Sequence, residues 1–563
     1  MRAVEVVIHN VRSVHDATVR LQDVSLVVGA NNAGKSNLVD AIRLFYADLK
    51  WDESRDGCKV ASADTESWVE IEFEPTADEL AQLKDEYRSE QGTFRVRNYL
   101  KAGPGPDGKA RSGFYAYVDG VLSDTLFYGA KNVGSAKVGS LVYIPAVSKI
   151  DDHTKLSGPS SLRELVATVV SKVIATSPAY KALTEAFQTF EGQIKTHKSS
   201  DGSSIEALEK EVTGEIASWD SSFNLGIQGI QPEDILKTLI RPQLIDKTHG
   251  GEIDQLRFGA GFQRHLVYTL IKLAAKHSSG AVAGAGAVKK EFSPQLNWIL
   301  FEEPEAFLHP SQEEVLHESL IALAKDDDTQ VLLTTHSSRF VSRTMNDLTK
   351  VIRLRRDAGI TTAFQIGQEE LDELFRDALA LDDSIVPGAL EPDRIDREAA
   401  MAALKMELWL QPTRAAAFFA QRVILVEGPS EAGLYAYLTT RNSMPVPAKG
   451  IIIVDCMGKY NIHRFMGLLA VFGVDHSVLY DGDNGGSRDT EVSAAITAAA
   501  SSYTRRVTRF AKDLETELGI PPLERRDSHR KPQYLLYNLE AGLVSDARLT
   551  ALMGEFQRLA TAE

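Results

Sequence analysis

The stretch from Val24 to Ser36 reads VSLVVGANNAGKS, and it decides the fold of the first half of the chain. Its first five residues are rich in β-branched side chains and predict a short strand that ends at Val28. The following eight residues fit the pattern G-x-x-x-x-G-K-[ST], a glycine-rich loop that opens a helix. The backbone N–H groups of such a loop wrap phosphate oxygens, because glycine permits the turns that this requires. The stretch therefore predicts a strand, a phosphate-binding loop and a helix.

The loop predicts a nucleotide site in which each residue type has a role. We expect Lys35 to reach the β- and γ-phosphates of ATP, and the hydroxyl of Ser36 to bind Mg²⁺. The N-terminus of the following helix adds a favourable dipole for the phosphates. The loop residues expected to bind ATP are Gly29, Asn31, Asn32, Gly34, Lys35, Ser36 and Asn37.

Two later strand ends complete this nucleotide site. The apolar run WILF at Trp298 leads into Glu302 and Glu303, and VLLTT at Val331 leads into His336. The two runs flank a helix, which is a βαβ pattern. We expect Glu302 to hold the Mg²⁺ shell, Glu303 to polarise the attacking water and His336 to contact the γ-phosphate.

A second set of acids follows in the C-terminal third of the chain. VILVEG ends in Glu427 and its turn, and Glu431 lies four residues later, which can place both carboxylates beside one cavity. SVLYDGD carries Asp481 and Asp483, which are two residues apart and can converge on one face. Several carboxylates at the ends of parallel strands make an oxygen-ligand site for Mg²⁺ or Mn²⁺. Two such ions can support phosphodiester cleavage by water. Asp455, at the end of IIIVD, is a further candidate ligand.

Composition excludes several classes of protein. The chain has 563 residues with 43% apolar and 25% charged residues, which indicates a globular protein of roughly three or four domains. The 62 basic and 78 acidic residues give a net charge of −16, so a uniformly basic nucleic-acid coat is excluded. Nucleic-acid contacts must come from local basic clusters or from ions held by carboxylates.

Cysteine usage and hydropathy indicate the compartment. Two cysteines cannot form a disulfide framework or a cysteine-based zinc site, and such low usage fits a reducing cytosol. The N-terminal segment lacks the apolar core of a signal peptide. Because no uncharged apolar stretch reaches 18 residues, we expect no membrane span and a cytoplasmic location.

The motifs and their order resemble known families. The segment FGAGFQR at Phe258 resembles the signature motif of ABC-type ATPases, and its position between the P-loop and EEPE is similar to the SMC and RecF-like branch. The pair VEG…E and DGD resembles the Toprim domain of topoisomerases, primases and some nucleases. The whole chain resembles the OLD (overcoming lysogenization defect) family of nucleases, which includes the large subunit of the Gabija anti-phage system.

This resemblance implies further residues, cofactors and partners. It implies that Gly259, Gly261 and Gln263 of one subunit close on ATP held by another, in a homodimer or a higher even oligomer. It also implies that Lys531, within HRKPQYLLYNLE, stabilises the pentavalent transition state near the metal site. The implied cofactors are ATP with one ion, and two Mg²⁺ or Mn²⁺ ions at the Toprim site. The implied partners are DNA and an accessory helicase or another defence protein.

We therefore expect an α/β chain with an ABC-type (SMC/RecF-like) ATPase domain, a helical insertion in it and a C-terminal Toprim α/β domain. The expected boundaries are 1–156 and 243–366 for the two parts of the ATPase domain, 157–242 for an insertion that dimerises, 367–419 for a helical linker and 420–563 for the Toprim nuclease domain.

The leading hypothesis is an ATP-regulated, divalent-metal-dependent DNA endonuclease in anti-phage defence. Two alternatives stay open at this point. A DNA-binding clamp of the SMC or RecF type would turn over ATP without cutting DNA, and an RNA-directed Toprim nuclease would apply the same chemistry to RNA.

Overall fold

The computed structural model of the chain describes most of the two α/β regions and part of the segment between them. The described residues are 1–59, 64–103, 108, 110–130, 138–146, 162, 166, 177–200, 203–225, 243–246, 251–252, 258–259, 261–263, 265–267, 269–270, 273, 292, 294, 296–306, 308–325, 328–343, 345–374, 411–441, 450–483, 486–523 and 525–562. The chain divides into two compact units, Met1–Ala146 with Lys289–Glu563, and Val147–Val288.

The strands and helices are numbered in chain order. The strands are β1 Arg2–Val11, β2 Val14–Arg20, β3 Val24–Val28, β4 Ser67–Glu74, β5 Phe94–Lys101, β6 Gly113–Val118, β7 Val121–Leu126, β8 Ser140–Ile144, β9 Ile245–Asp246, β10 Gly251–Glu252, β11 Asn297–Glu302, β12 Thr329–Thr334, β13 Val351–Asp357, β14 Ile360–Phe364, β15 Arg422–Val426, β16 Ile451–Asp455, β17 Asp475–Tyr480 and β18 Thr504–Arg509. The α-helices are α1 Lys35–Phe45, α2 Glu53–Asp56, α3 Ala77–Gln82, α4 Pro178–Thr196, α5 Ile205–Glu215, α6 Pro310–Leu323, α7 Ser338–Arg343, α8 Pro412–Ala415, α9 Pro429–Thr440, α10 Ile462–Val471, α11 Ser487–Ala498, α12 Leu514–Leu518, α13 Lys531–Glu540 and α14 Asp546–Thr561.

The first unit opens with an antiparallel sheet in the order β2-β1-β4-β5-β6-β7. Val6 and Ile8 lie two residues apart on β1, so they share one face of the sheet. Both are fully buried in a core that also contains Phe45 of α1 and Phe73 of β4. This sheet therefore packs against the helix that the glycine-rich loop begins.

The second sheet of this unit carries the nucleotide motifs. Its order is β14-β13-β3-β12-β11-β8, with five parallel strands and β14 antiparallel at one edge. All five residues of β3 are buried, as expected for a central strand of a parallel sheet covered on both faces. The strands β3, β11 and β12 end at the same edge, which brings the glycine-rich loop, Glu302 and the loop with His336 to one side.

The third sheet lies in the C-terminal region and is entirely parallel, in the order β16-β15-β17-β18. Val426 at the end of β15 lies opposite Asp455 of β16 and Leu479 of β17. Glu427 and Asp481 follow these strand ends directly, so they reach the same edge as Asp455. Helices α9, α13 and α14 contribute to the core beside this sheet.

A buried arginine joins the second and third sheets. The guanidinium of Arg353 on β13 donates to the backbone carbonyls of Phe418 and Ala420, each at 3.1 Å. It also donates to the carbonyls of Phe472 at 2.8 Å and Gly473 at 2.9 Å. Because the side chain is buried, these carbonyls supply the polar contacts that a buried guanidinium requires.

The described residues of the second unit include helices α4 and α5, which contact each other, and the antiparallel pair β9 and β10. The helices are separated near Lys198, where the sequence predicts an interruption of the helical stretch. Residues 157–161 and 226–242, which include both ends of the expected insertion, lie outside the described residues. The domain boundaries therefore stay predictions.

The structure has the mixed α/β sheets that the sequence predicts, and it adds strands that the motifs do not reveal. The motif-based interpretation contains neither β5–β7 nor the hairpin β13–β14. The predicted connector after Lys276 and residues 375–410 of the expected linker lie outside the described residues. Within the described part of the chain, no helix is both long and apolar enough to span a membrane.

Candidate functional site

The glycine-rich loop lies directly against the hairpin β13–β14. Gly34 adopts a φ of +105°, and a Cβ atom at this position would lie 2.4 Å from Oγ1 of Thr361. The Thr361 hydroxyl donates to the carbonyl of Ala33 at 3.1 Å. A side chain at position 34 would therefore be strained by its backbone and would collide with β14.

The remaining loop residues differ in what they contact. Asn31, Asn32 and Ser36 are exposed. Asn37 instead faces the turn between β1 and β2, where its Nδ2 donates to Oγ of Ser13 at 2.6 Å. The loop thus exposes several polar side chains, while the side chain of Asn37 at the start of α1 is held by a hydrogen bond.

Lys35 folds back onto its own loop. Its Nζ donates to the carbonyl oxygens of Gly29 at 3.0 Å and Ala30 at 3.1 Å, and the side chain is buried. Burial lowers the pKa of Lys35 to about 8, although the charge of Glu303 and of two neighbouring glutamates raises it. The lysine charge is therefore only partly balanced, which favours an anion beside it.

Two carboxylates follow β11. Oε2 of Glu302 accepts a hydrogen bond from the hydroxyl of Tyr143 at 2.8 Å. Glu303 has a φ of +43°, and its N–H donates to the carbonyl of Thr334 at 2.8 Å. Its Oε1 lies 3.6 Å from Nε2 of His336. Glu302 and Glu303, which were predicted to hold the metal ion and to polarise the attacking water, thus lie at the same edge as Lys35 and His336.

Glu305 is a residue of this edge that the motif analysis does not single out. Its Oε1 accepts hydrogen bonds from the N–H groups of His336 at 2.7 Å and Ser337 at 3.2 Å. Burial raises the pKa of Glu305. Burial, followed by the charge of Lys35, lowers the pKa of His336. The third acid of EEPE therefore holds the histidine loop, and its place inside the motif is the signal that points to it.

The signature-like segment lies in the other unit. Gly259, Gly261 and Gln263 are described, and Nε2 of Gln263 donates to the carbonyl of Phe258 at 2.7 Å. The rings of Phe258 and Phe262 stack at 4.4 Å. The role of these residues toward ATP stays a prediction.

The edge of the third sheet brings together acids from two neighbouring strands. Oε2 of Glu427 accepts a hydrogen bond from the N–H of Asp481 at 3.2 Å. Asp481 is 5% exposed, and its Oδ1 has no hydrogen-bond partner among the described residues. Glu431 is buried one helical turn after Glu427, and its Oε2 accepts from the N–H of Gly428 at 3.0 Å.

These acids repel one another in a poorly solvated space. Burial, followed by the charge of Asp481, raises the pKa of Glu427 to about 7 and that of Glu431 to about 8. Burial raises the pKa of Asp481 to about 6, although Lys531 lowers it. Such shifts mark a lack of positive charge, which a divalent cation would supply.

Lys531 is the cation nearest to Asp481. Its Nζ lies 3.3 Å from Oδ2 of Asp481 and 3.0 Å from Oε2 of Glu515, a buried acid of α12 that the motif analysis misses. Although burial lowers it, the charges of Asp481 and Glu515 raise the pKa of Lys531. The lysine therefore stays charged next to the acid that has a free oxygen.

The other two predicted acids are paired with cations. Asp483 contacts the buried Lys459, whose Nζ also lies 2.6 Å from Oδ1 of Asp489. Oδ2 of Asp455 lies 3.2 Å from Nη2 of Arg414. The structure thus brings Glu427, Glu431 and Asp481 together and leaves Asp455 and Asp483 at the rim, each with its own cation. The motif analysis predicts neither Lys459 nor Arg414.

A divalent ion fits this edge. Among the described residues, no preformed group of three or more His, Cys, Asp or Glu side chains has metal-binding geometry. The unpaired Oδ1 of Asp481 and the raised pKa values of Glu427 and Glu431 nevertheless require a cation when these groups ionise. Carboxylate oxygens are the ligands that Mg²⁺ and Mn²⁺ prefer.

Two families match different parts of the chain. The family described as AAA ATPase domain matches residues 1–102 and 121–341, which is more than half of the chain. The family described as overcoming lysogenization defect protein-like, TOPRIM domain, matches residues 418–483, from the segment before β15 to Asp483.

Three nucleases are similar to this chain. Old nuclease of Escherichia phage P2 is 24% identical over 506 residues, which covers 86% of this chain and 77% of that protein. OLD nuclease of Thermus scotoductus is 22% identical over 36% of this chain and 34% of that protein. Endonuclease GajA of Bacillus cereus is 23% identical over 38% of this chain and 28% of that protein. The last two matches span less than two thirds of those relatives.

Two solved structures match part of this chain at low identity. The SMC head domain from Thermotoga maritima matches 65% of this chain and 100% of that chain at 13% identity and a TM-score of 0.30. Stu0660 of Streptococcus thermophilus matches 73% of this chain and 86% of that chain at 7% identity and a TM-score of 0.38. This chain therefore belongs to the AAA ATPase domain family, and its residues 418–483 match the Toprim domain of overcoming lysogenization defect protein-like nucleases.

Proposed function

We propose that this protein is an ATP-regulated, divalent-metal-dependent DNA endonuclease that acts in anti-phage defence. The observation that carries the proposal is the hydrogen bond from the backbone N–H of Asp481 to the carboxylate of Glu427, two acids that follow neighbouring parallel strands. Lys531 lies 3.3 Å from the carboxylate of Asp481. The names of the relatives support nucleic-acid cleavage, and GajA is named an endonuclease.

The acids of this edge hold the ions, with Glu427, Glu431 and Asp481 at its centre. Asp455 and Asp483 are further ligands at its rim. Two Mg²⁺ or Mn²⁺ ions supply activation of the attacking water and stabilisation of the leaving oxygen when bound.

Lys531 acts on the phosphate itself. During hydrolysis the water oxygen bonds to phosphorus and loses a proton, while one phosphorus–oxygen bond to the sugar breaks and the leaving oxygen gains a proton. The negative charge on the phosphate oxygens increases in between. The ammonium of Lys531, fixed by Asp481 and Glu515, donates to these oxygens and stabilises that charge.

Local basic residues supply the DNA contact that the net charge does not. Nη2 of Arg509 donates to the carbonyl of Gly482 at 3.1 Å, which places it beside the turn between Asp481 and Asp483. Lys512 lies next to the same turn, because its carbonyl accepts from the N–H of Asp483 at 2.7 Å. Such charges bind the phosphate backbone and set its register.

The ATPase edge regulates cleavage in this proposal. Lys35 and Ser36 bind the phosphates and their ion, Glu302 completes the ion shell, and Glu303 and His336 act on the γ-phosphate and its attacking water. Gly259, Gly261 and Gln263 of a second subunit complete the ATP site, so the working form is a homodimer or a higher even oligomer. An accessory helicase or another defence protein is the further partner.

A supercoiled-plasmid assay with Mg²⁺ or Mn²⁺, with and without ATP, tests the proposal. We expect nicked or linear product from the wild type, no product from Asp481→Asn, and a loss of the ATP effect in Lys35→Ala. Asp546→Asn, at an exposed acid that begins α14, is the matched control and should behave as the wild type. Cleavage of RNA alone, or ATP turnover without cleavage, would overturn the DNA endonuclease and favour the RNA nuclease or the clamp.

A further inference from the structure

Arg414 makes an unusual double contact with one residue of the Toprim edge. It lies in the short helix α8, in the segment that leads from the ATPase domain into β15. Its Nε donates to the backbone carbonyl of Asp455 at 2.8 Å, and its Nη2 lies 3.2 Å from Oδ2 of the same residue. Both side chains are largely buried, 16% exposed for Arg414 and 23% for Asp455, so the contact is only weakly screened by water.

Fixing Asp455 also fixes the turn that carries Glu427. Oδ1 of Asp455 accepts from the N–H of Met457 at 2.7 Å, which closes the turn after β16. This turn is hydrogen-bonded to the turn after β15. The N–H of Cys456 donates to the carbonyl of Val426 at 2.9 Å, and the N–H of Gly458 donates to the carbonyl of Glu427 at 2.7 Å. The two turns are therefore hydrogen-bonded to each other, and Arg414 holds one end of the pair.

The same short segment touches the nucleotide edge. Helix α7 begins two residues after His336 and packs against α8. Phe419, four residues after the end of α8, places its ring 6.3 Å from the ring of His336. The loop that is predicted to sense the γ-phosphate and the arginine that holds Asp455 are thus linked through directly packed elements.

We propose that Arg414 is a positioning residue of the Toprim site, which holds Asp455 and the Glu427 turn in place and passes the position of the His336 loop to them. The inference rests on the proposed function and names how ATP regulates that site. A guanidinium suits this role because its planar fork binds a carbonyl and a carboxylate together and stays charged at any working pH. A lysine keeps the charge but lacks the fork.

The first test measures the ion requirement of cleavage by the full-length protein. We expect Arg414→Gln to raise the Mn²⁺ concentration for half-maximal plasmid cleavage about 10-fold or more, as is typical when a residue that orients a metal ligand is lost. We expect Arg414→Lys to share this effect while its unfolding temperature stays near that of the wild type. Arg441→Gln is the matched control, because Arg441 pairs with Glu540 on an exposed surface of the same domain.

The second test measures regulation, which a merely structural arginine would not change. The ratio of cleavage rates with and without ATP should move toward one in Arg414→Lys, and combining it with His336→Ala should add no further loss. An unchanged ratio together with an unchanged Mn²⁺ requirement in Arg414→Lys would overturn the proposal.

A third measurement separates this inference from the proposed function. Mn²⁺ should raise the unfolding temperature of the wild type and of Arg441→Gln, and the Mn²⁺ concentration at half of this shift should rise in Arg414→Lys. This readout needs no cleavage, so a wild type that cuts no nucleic acid would refute the endonuclease and leave the positioning role supported. Equal Mn²⁺ concentrations in the wild type and Arg414→Lys would refute the positioning role.

Discussion

The nucleotide edge and the Toprim edge are both carboxyl ends of parallel sheets, yet burial acts at them on groups of opposite charge. At the first, burial lowers the pKa of Lys35 to about 8 in spite of nearby glutamates. At the second, burial and mutual repulsion raise the pKa of Glu427 to about 7 and that of Glu431 to about 8. Burial thus disfavours the charged form of a lysine at the first edge and of carboxylates at the second.

The comparison shows how one architecture can bury charged groups of opposite sign at its edge. A parallel sheet delivers whatever follows its strands to a common edge, and the charge of the site is decided by those few residues. The net charge of −16 for the whole chain reveals neither the buried lysine of one edge nor the buried carboxylates of the other. Polyphosphate and divalent ions are the ligands that would correct the two edges.

The largest effect on ligand binding should come from Gly34, a glycine of the nucleotide edge that is closely packed against β14. Gly34→Ala adds a Cβ atom that would lie 2.4 Å from Oγ1 of Thr361, at a φ of +105°. Collision and strain together should cost about 2–5 kcal/mol and weaken ATP binding about 100-fold. Titration calorimetry with a non-hydrolysable ATP analogue measures this loss.

The Toprim edge offers the counterpart. Gly458 has a similar φ of +110°, but a Cβ atom there meets nothing within 4 Å. Gly458→Ala should therefore add backbone strain alone, about 1–3 kcal/mol, and leave ATP binding unchanged. If both variants bind ATP equally well, the close packing of the glycine-rich loop on β14 is not what holds the nucleotide site.

A smaller effect should appear in the pH dependence of stability without ligands. The pKa of Glu427 in the folded protein, about 7, lies above its ordinary 4.5, so the free energy of unfolding should fall as pH rises from 4.5 to 7. The pKa of Lys35, about 8, lies below its ordinary 10.5, so the free energy of unfolding should rise again between pH 8 and 10.5. Each slope should amount to about 1–3 kcal/mol.

Urea unfolding between pH 5 and 10 separates the two slopes. Glu427→Gln should reduce the fall, to which the raised pKa values of Glu431 and Asp481 also contribute, and should keep the rise. Lys35→Met should remove the rise and keep the fall. Added Mg²⁺ should flatten the fall alone. If the free energy of unfolding falls as much in Glu427→Gln as in the wild type, the raised pKa of Glu427 does not contribute to the pH dependence of stability.

The smallest effect concerns Tyr143, which donates to Glu302 at 2.8 Å. Tyr143→Phe removes one hydrogen bond to a carboxylate and should raise the Mg²⁺ concentration needed for ATP turnover about 2- to 10-fold. Tyr115→Phe is the control, because its hydroxyl lies 3.4 Å from its acceptor, the carbonyl of Ser112. An equal effect of both changes would mean that Tyr143 does not orient Glu302.

The sequence predicted the parts of both sites that depend on strand ends. Val24–Val28 was expected as a strand with its present bounds, and Glu427 and Asp481 were expected at a common edge, because the carboxyl ends of parallel strands coincide. These features follow from local pattern and topology alone.

The parts that escaped prediction depend on contacts between distant segments. Arg414 meets Asp455 across 41 residues, and Lys531 at the start of α13 meets Glu515 of α12. No periodicity or motif spacing encodes such pairs. The hairpin β13–β14 was not predicted for another reason. Its segment VIRLRRD contains three arginines and has a polar composition, although Arg353 is buried in the structure.

Arg353 also has a consequence for what its contacts constrain in the Toprim half. All four of its acceptors are backbone carbonyls, so the side chains of Phe418, Ala420 and Phe472 can change without removing an acceptor. At these positions the joint therefore constrains the backbone of the Toprim half more than its side chains. The ion pair of Arg355 with Asp475 at 2.9 Å, in contrast, depends on both side chains.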